Sequence, residues 1–104
     1  MIGLGKWACN VNTMFFSGEA KINVFDNNGE YGFELEVPGI TVPEIIVKEI
    51  TEDDDTIEAV VQTSLLPDKD IDLSITFDGD EFDGFLKIPF LGKVKFKDGH
   101  RITE

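Results

Sequence analysis

Apolar and polar residues alternate along almost the whole chain, and this period of two limits the fold more than any other feature of the sequence. Such alternation gives a β-strand one apolar and one polar face, whereas an amphipathic helix needs apolar residues at i, i+3, i+4 and i+7. No segment keeps the helical spacing over ten or more positions. The sequence therefore predicts an all-β protein with eight strands, the first over about residues 4–13. The apolar faces of these strands are formed by Trp7, Cys9, Val11, Ala20, Ile22, Val24, Tyr31, Phe33, Leu35, Val37, Ile45, Val47, Ile57, Ala59, Val61, Ile71, Leu73, Ile75, Phe77, Leu86, Ile88, Val94 and Phe96.

The connections between the predicted strands fall into two classes. The second, fourth and sixth are acidic, and Asn-Gly and Asp-Gly steps among them favour tight hairpin turns (26–29, 51–55 and 78–81). The first, third, fifth and seventh are apolar and often contain proline (14–18, 38–43, 64–67 and 89–92). Successive connections of a meander lie at alternate ends of the sheet, so the apolar loops would share one end and the acidic turns the other. This pattern predicts an eight-stranded antiparallel up-and-down barrel, whose closure removes exposed strand edges.

Size and charge limit the classes of function. A chain of 104 residues, 41% of them hydrophobic, can bury one modest core, so we expect a single barrel domain over residues 1–104. The net charge of −12 opposes binding to phosphate backbones and to anionic lipid surfaces. Nucleic acid and membranes are therefore not expected as partners.

The location predicted from the sequence is the cytoplasm. The first seven residues lack the basic start, apolar run and small-residue cleavage site of a secretion signal. No apolar stretch approaches the roughly 20 residues of a membrane-spanning helix. Cys9 is the only cysteine, which excludes an intramolecular disulfide and agrees with a reducing compartment.

Residues near the two ends of the chain resemble a family signature. Gly5, Lys6 and Trp7 on the first strand, with Arg101 after the last, resemble the Gly-x-Trp motif and terminal basic residue of the calycin superfamily, the lipocalin-like barrels. The stretch 76–102 also resembles a group of small bacterial proteins of undefined function. The resemblance implies that the tryptophan closes one barrel end and that the arginine lies across it. This chain is shorter than a typical lipocalin and lacks its flanking helix and disulfides, so the resemblance implies the barrel more directly than a ligand cavity.

No group of residues predicts catalysis, and we expect no enzyme, cofactor or metal site. The acidic turns could bind a hard cation, but Phe82 interrupts the calcium-loop pattern, and solvated turns explain the aspartates better. His100 is the only histidine and is expected to be exposed, whereas Cys9 shares the inward side of its strand. The alternating lysines at 93, 95 and 97 could bind an anion, although such a row more often keeps a strand soluble.

The apolar loops are the candidate functional surface. A clustered apolar surface usually marks binding or association. It could be the mouth of a cavity for a small hydrophobic ligand. The alternative is a non-catalytic structural module that forms a homodimer through these loops. In a third interpretation the loops fold inward and plug the barrel. We call this surface the apolar rim: Met14, Phe15, Phe16, Ile40, Val42, Leu65, Leu66, Phe90 and Leu91.

Overall fold

The computed structural model describes residues 2–13, 17–37, 40–42, 44–64 and 66–102, with the backbone alone at residues 40 and 41. Within these residues the chain forms one antiparallel sheet. Its strands are β1 (Gly5–Asn12), β2 (Ser17–Asn27), β3 (Glu30–Val37), β4 (Ile40–Thr41), β5 (Ile45–Asp53), β6 (Thr56–Thr63), β7 (Ile71–Asp78), β8 (Glu81–Ile88) and β9 (Gly92–Arg101). They comprise the eight predicted strands and one two-residue strand, β4, in the third connection. The all-β prediction is confirmed.

The strand order shows an up-and-down barrel that is nearly closed. The order in the sheet is β4-β3-β2-β1-β9-β8-β7-β6-β5. Strands consecutive in sequence are therefore paired, except β4 and β5, and β1 pairs with β9. The break in hydrogen bonding falls between β3 with β4 on one side and β5 on the other. The Tyr31 hydroxyl of β3 donates a hydrogen bond to the Glu52 carboxylate of β5 across that break. The eight-stranded meander predicted from the two loop classes is confirmed.

Tight turns connect the strands at one end, as their sequences predict. Asn28 and Gly29 have φ angles of 56° and 92°, which suits a two-residue hairpin turn. The Asp26 carboxylate accepts a hydrogen bond of 2.7 Å from the Gly29 amide. Asp54 and Gly79 take positive φ in the two other acidic turns. We call this the closed end of the barrel, and the end with the longer connections the mouth.

Inward-facing side chains of the strands form the core. The largest completely buried side chains belong to Trp7, Val24, Ile57 and Ile75, together with the smaller Cys9. A cluster of rings fills the closed half, with centroid distances of 4.9 Å from Trp7 to Phe77, 5.5 Å from Trp7 to Phe82 and 5.9 Å from Phe82 to Phe96. Offset and edge contacts of this kind stabilise a core beyond the area they bury. No helix long and apolar enough to cross a membrane occurs in the ranges given above.

Candidate ligand-binding site

A cavity of about 390 Å³ lies inside the barrel, in the half next to the mouth. Its position follows from the register, because the wall residues lie at the mouth ends of their strands. Those on the strands are Val11 of β1, Ala20 and Ile22 of β2, Phe33, Leu35 and Val37 of β3, Ile45 of β5, Val61 and Thr63 of β6, Ile71 and Leu73 of β7, Leu86 and Ile88 of β8, and Val94 and Phe96 of β9. The connections add Val42, Leu66, Pro89, Phe90 and Leu91. Phe96 also belongs to the aromatic cluster, which therefore forms the floor of the cavity.

The chemistry of the cavity wall is almost wholly apolar. Within the part of the chain that the structure describes, Thr63 is the one lining residue with a polar side chain, and it is buried. None of these lining residues carries an ionisable group. General acid–base catalysis requires a titratable side chain within hydrogen-bond reach of the reacting atoms. The described wall residues can surround an apolar molecule.

The structure brings part of the predicted apolar rim to this cavity. Val42, Leu66, Phe90 and Leu91 all line it. Leu66 and Leu91 are half-buried and pack against the core, whereas Phe90 is 91% exposed. Ile40 lies in β4, where the backbone alone is described. The remaining rim residues, Met14, Phe15, Phe16 and Leu65, lie outside the described residues.

Most of the wall comes from strand residues that the sequence indicated as core and not as site. Alternation cannot separate the two roles, since wall and core residues share the same face of each strand. Ala20 offers one usable signal, because a small residue at an inward position next to the mouth leaves space that a larger side chain would fill.

At the closed end the structure brings Gly5, Trp7 and Arg101 together. The Arg101 guanidinium lies 4.1 Å from the centre of the Trp7 ring. Its Nη1 donates to the Leu4 carbonyl at 2.8 Å, and its Nε forms an ion pair with Asp80 at 3.1 Å. Gly5 has a φ of 128°, and a Cβ there would lie 2.5 Å from Nη1 of Arg101. These residues pack the end opposite the cavity and do not line it.

Two buried groups have altered pKa values for reasons unrelated to the cavity. Burial raises the pKa of the Cys9 thiol to about 12, and the negative charge of Glu19 adds to the shift. Burial also raises the pKa of Tyr31, and its hydrogen bond to Glu52 acts in the same direction. The Tyr31 hydroxyl accepts a hydrogen bond of 2.6 Å from the Ile2 amide. Since nucleophilic attack requires a thiolate, burial and the raised pKa both disfavour reaction at the Cys9 thiol.

The other polar residues singled out in the sequence lie on the surface. His100 is exposed, and its Nδ1 lies 2.8 Å from the Asp98 carbonyl. The Lys93 ammonium lies 4.1 Å from the centre of the Phe85 ring. Among the described residues, no three histidine, cysteine, aspartate or glutamate side chains are grouped as metal ligands would be.

Comparison with known proteins shows the fold alone. No protein-family model matches the chain, and no curated protein matches it. The crystal structure of secretory abundant heat soluble protein 4 from Ramazzottius varieornatus is similar, with a TM-score of 0.58 and 13% sequence identity over 99% of each chain. The shared architecture is a lipocalin-like β-barrel over the full length of both chains.

Proposed function

We propose that this protein binds a small apolar molecule inside the barrel and has no catalytic role. The observation that carries the proposal is the cavity of about 390 Å³ with its apolar wall. Ligand sites usually have volumes of roughly 300–1,000 Å³, and an apolar cavity of about 150 Å³ is enough to bind benzene. We therefore expect a ligand larger than benzene.

The composition of the wall also indicates the polarity of the ligand. Binding would be driven by transfer of apolar surface from water, worth roughly 0.8 kcal/mol for each buried CH₂ group. Affinity should then rise about fourfold with each added methylene until the cavity is full. Thr63 supplies one polar side chain among the described wall residues, so the buried part of the ligand should carry few polar atoms.

The similarities support the proposal to different degrees. At 13% identity, the similarity to secretory abundant heat soluble protein 4 from Ramazzottius varieornatus supports the barrel fold and does not identify a ligand. The contacts of Gly5, Trp7 and Arg101 agree with the arrangement implied by the calycin resemblance. We also propose that the chain is homologous to the calycin superfamily and to the small bacterial group of undefined function.

Calorimetric titration with straight-chain alcohols of six to twelve carbons tests the proposal. Decanol should bind, and affinity should rise along the series to a plateau. Ala20→Leu would place a larger side chain in the cavity and should weaken decanol binding at least tenfold. Ala59→Leu is the matched control, because Ala59 is a buried alanine outside the cavity wall. Equal affinity in wild type and Ala20→Leu, or no binding by wild type, would refute the proposal.

Self-association is the second candidate function, and the exposure of Phe90 at the mouth favours it. Molar mass measured by analytical ultracentrifugation separates the two candidates. A dimer that becomes a monomer in Phe90→Ser, with no alcohol bound by either protein, would favour an interface. A monomer that binds decanol would favour ligand binding inside the barrel.

A further inference from the structure

The hairpin turn between β2 and β3 contains the one Asn-Gly step in the sequence, Asn28-Gly29. Asn27 pairs with Glu30, so Asn28 and Gly29 alone form the loop, and both have positive φ angles. Both residues are exposed, and a Cβ placed on Gly29 would meet nothing within 4 Å. The step is therefore open to water on the outside of the barrel.

This dipeptide has a reactivity of its own. Once the backbone nitrogen of Gly29 has lost its proton to water, it attacks the side-chain carbonyl carbon of Asn28, and the new C–N bond closes a succinimide ring. The side-chain nitrogen takes up a proton from water and leaves as ammonia. One water molecule then opens the ring and leaves aspartate or isoaspartate, in which the main chain runs through the former side-chain carbonyl. Glycine favours the attack because it has no Cβ to hinder its nitrogen.

In the folded turn the attacking nitrogen is held by Asp26. The Gly29 amide donates a hydrogen bond of 2.7 Å to Oδ1 of Asp26. A hydrogen bond to a carboxylate is roughly twice as strong as one between neutral groups. The bond retains the proton that must leave, and the negative charge beside it disfavours the amide anion. Asp26 should therefore slow the reaction at Asn28 in the folded protein and not in the unfolded chain.

The other asparagines lack these features. Asn10 and Asn23 precede valine, and their side chains donate hydrogen bonds to carboxylates on neighbouring strands. Asn12 precedes threonine and Asn27 precedes Asn28. Each of these following residues has a side chain that crowds the attacking nitrogen, and valine and threonine are branched at Cβ. Reaction is therefore expected at Asn28 before any other asparagine.

The two products should affect the hairpin differently. Aspartate keeps the length of the backbone and, like asparagine, adopts positive φ more readily than most residues. Isoaspartate adds a methylene group to the main chain of a two-residue loop, whose length fixes the register of β2 against β3. Tyr31 lies just after this turn, and its hydroxyl donates to Glu52 across the break in the sheet. Isoaspartate at position 28 should therefore loosen both the hairpin and the contact that bridges the break.

We propose that Asn28 is a site of spontaneous deamidation, that the hydrogen bond from Gly29 to Asp26 sets its rate, and that the isoaspartyl product loosens the closed end of the barrel. The site and its chemistry lie outside the cavity. The proposal therefore stands or falls independently of ligand binding.

Mass spectrometry of protein aged at pH 8 tests the site and the role of Asp26. Trypsin releases residues 22–48 as one peptide, which contains Asn28 and, as internal references, Asn23 and Asn27. The mass change from an amide to an acid should appear at Asn28 first. Asp26→Ala should accelerate it about tenfold in the folded protein, the factor expected for loss of a hydrogen bond to a charged group. In urea the variant and the wild type should react at equal rates.

Asp53→Ala is the matched control, because Asp53 is an exposed aspartate that likewise ends a strand before an acidic turn. It should leave the rate at Asn28 unchanged, which separates the hydrogen bond from a general loss of negative charge. A slower reaction in folded Asp26→Ala would show that the carboxylate acts as a base, and the protective role would be wrong. No reaction at Asn28 in folded Asp26→Ala, or a faster reaction at another asparagine, would overturn the site.

The melting temperature of the products tests the structural consequence. Aged protein enriched in isoaspartate should melt several degrees below the wild type. Asn28→Asp is the comparison, since it adds the same charge without the extra methylene group, and it should melt close to the wild type. Equal melting temperatures of the isoaspartyl protein and Asn28→Asp would show that the longer backbone is accommodated, and the loosening of the closed end would be wrong.

Discussion

The Arg101 guanidinium lies 4.1 Å from the centre of the Trp7 ring and donates a hydrogen bond from Nη1 to the Leu4 carbonyl. This contact joins the last strand to the first strand and to the segment before it. The Trp7 indole nitrogen in turn donates to the Gly3 carbonyl at 2.8 Å. These contacts support closure of the barrel at the end away from the cavity, so stability and ligand binding should respond to different substitutions.

Trp7→Ala should destabilise the protein by about 3–5 kcal/mol, the usual cost of removing a large buried aromatic side chain. Trp7 is 1% exposed and contacts both Phe77 and Phe82. Urea denaturation followed by circular dichroism measures the loss. Trp7→Phe serves as the comparison and should cost less. A melting temperature within a few degrees of wild type would show that the tryptophan does not hold the closed end together.

Gly5→Ala should destabilise the protein more than Gly29→Ala, although both glycines have positive φ. A Cβ at Gly29 meets nothing within 4 Å, whereas a Cβ at Gly5 would lie 2.5 Å from Nη1 of Arg101. Both substitutions carry a strain of roughly 1–3 kcal/mol, and Gly5→Ala should also displace the guanidinium from Trp7. In an Arg101→Ala background the excess cost of Gly5→Ala should disappear. Additive free energies of unfolding in that double-mutant cycle would contradict the contact.

Stability should fall as the pH rises above about 9, and Cys9 should account for part of the loss. The thiol pKa is 9.0 in the reference state and about 12 in the folded protein, so between these values the folded state binds the proton more tightly. The contribution is complete below pH 9.0 and lost as the pH rises through about 12. Cys9→Ala should show a shallower decline of the free energy of unfolding with pH. Parallel curves for the two proteins would count against burial of the thiol.

The acidic turns should bind no divalent cation more tightly than millimolar. Their carboxylates are exposed and the Asp26 side chain is already engaged by the Gly29 amide. Calorimetric titration with calcium, magnesium and manganese measures this directly. The interpretation as solvated turns would fail if a micromolar site appeared and was lost in Asp78→Asn and Asp80→Asn.

The order of the strands could be predicted because two physical signals agreed. The first signal is an Asp-Gly step such as Asp78-Gly79, which permits positive φ in a tight turn. The second signal is the regular alternation of apolar loops with acidic turns along the chain. The position of the break between β3 and β5 could not be predicted. All eight long strands have similar alternation, and hydrogen bonding across that break depends on how the strands coil in three dimensions.

The candidate site was only partly predictable for a related reason. Phe90 and Leu91 are adjacent apolar residues of one loop, and composition treats them alike. The structure exposes the first, whose φ is positive, and packs the second against the core. The cavity itself depends on the summed volumes of side chains from eight strands, and alternation reports only which way each side chain points.

Two buried alanines of the inward face should respond in opposite ways to enlargement, because only Ala20 lines the cavity inside the barrel. Ala20 lines the cavity of about 390 Å³, so the added carbons of Ala20→Leu can enter that space, and stability should be unchanged or rise by about 0.5–2 kcal/mol. Ala59 is buried outside the cavity wall, and Ala59→Leu should cost about 1–3 kcal/mol through overpacking. Free energies of unfolding from urea titration of both variants measure the difference. A similar loss in the two variants would mean that side chains fill the mouth half of the barrel in solution. The proposed binding of an apolar ligand would then be wrong, because no cavity would be there to hold it.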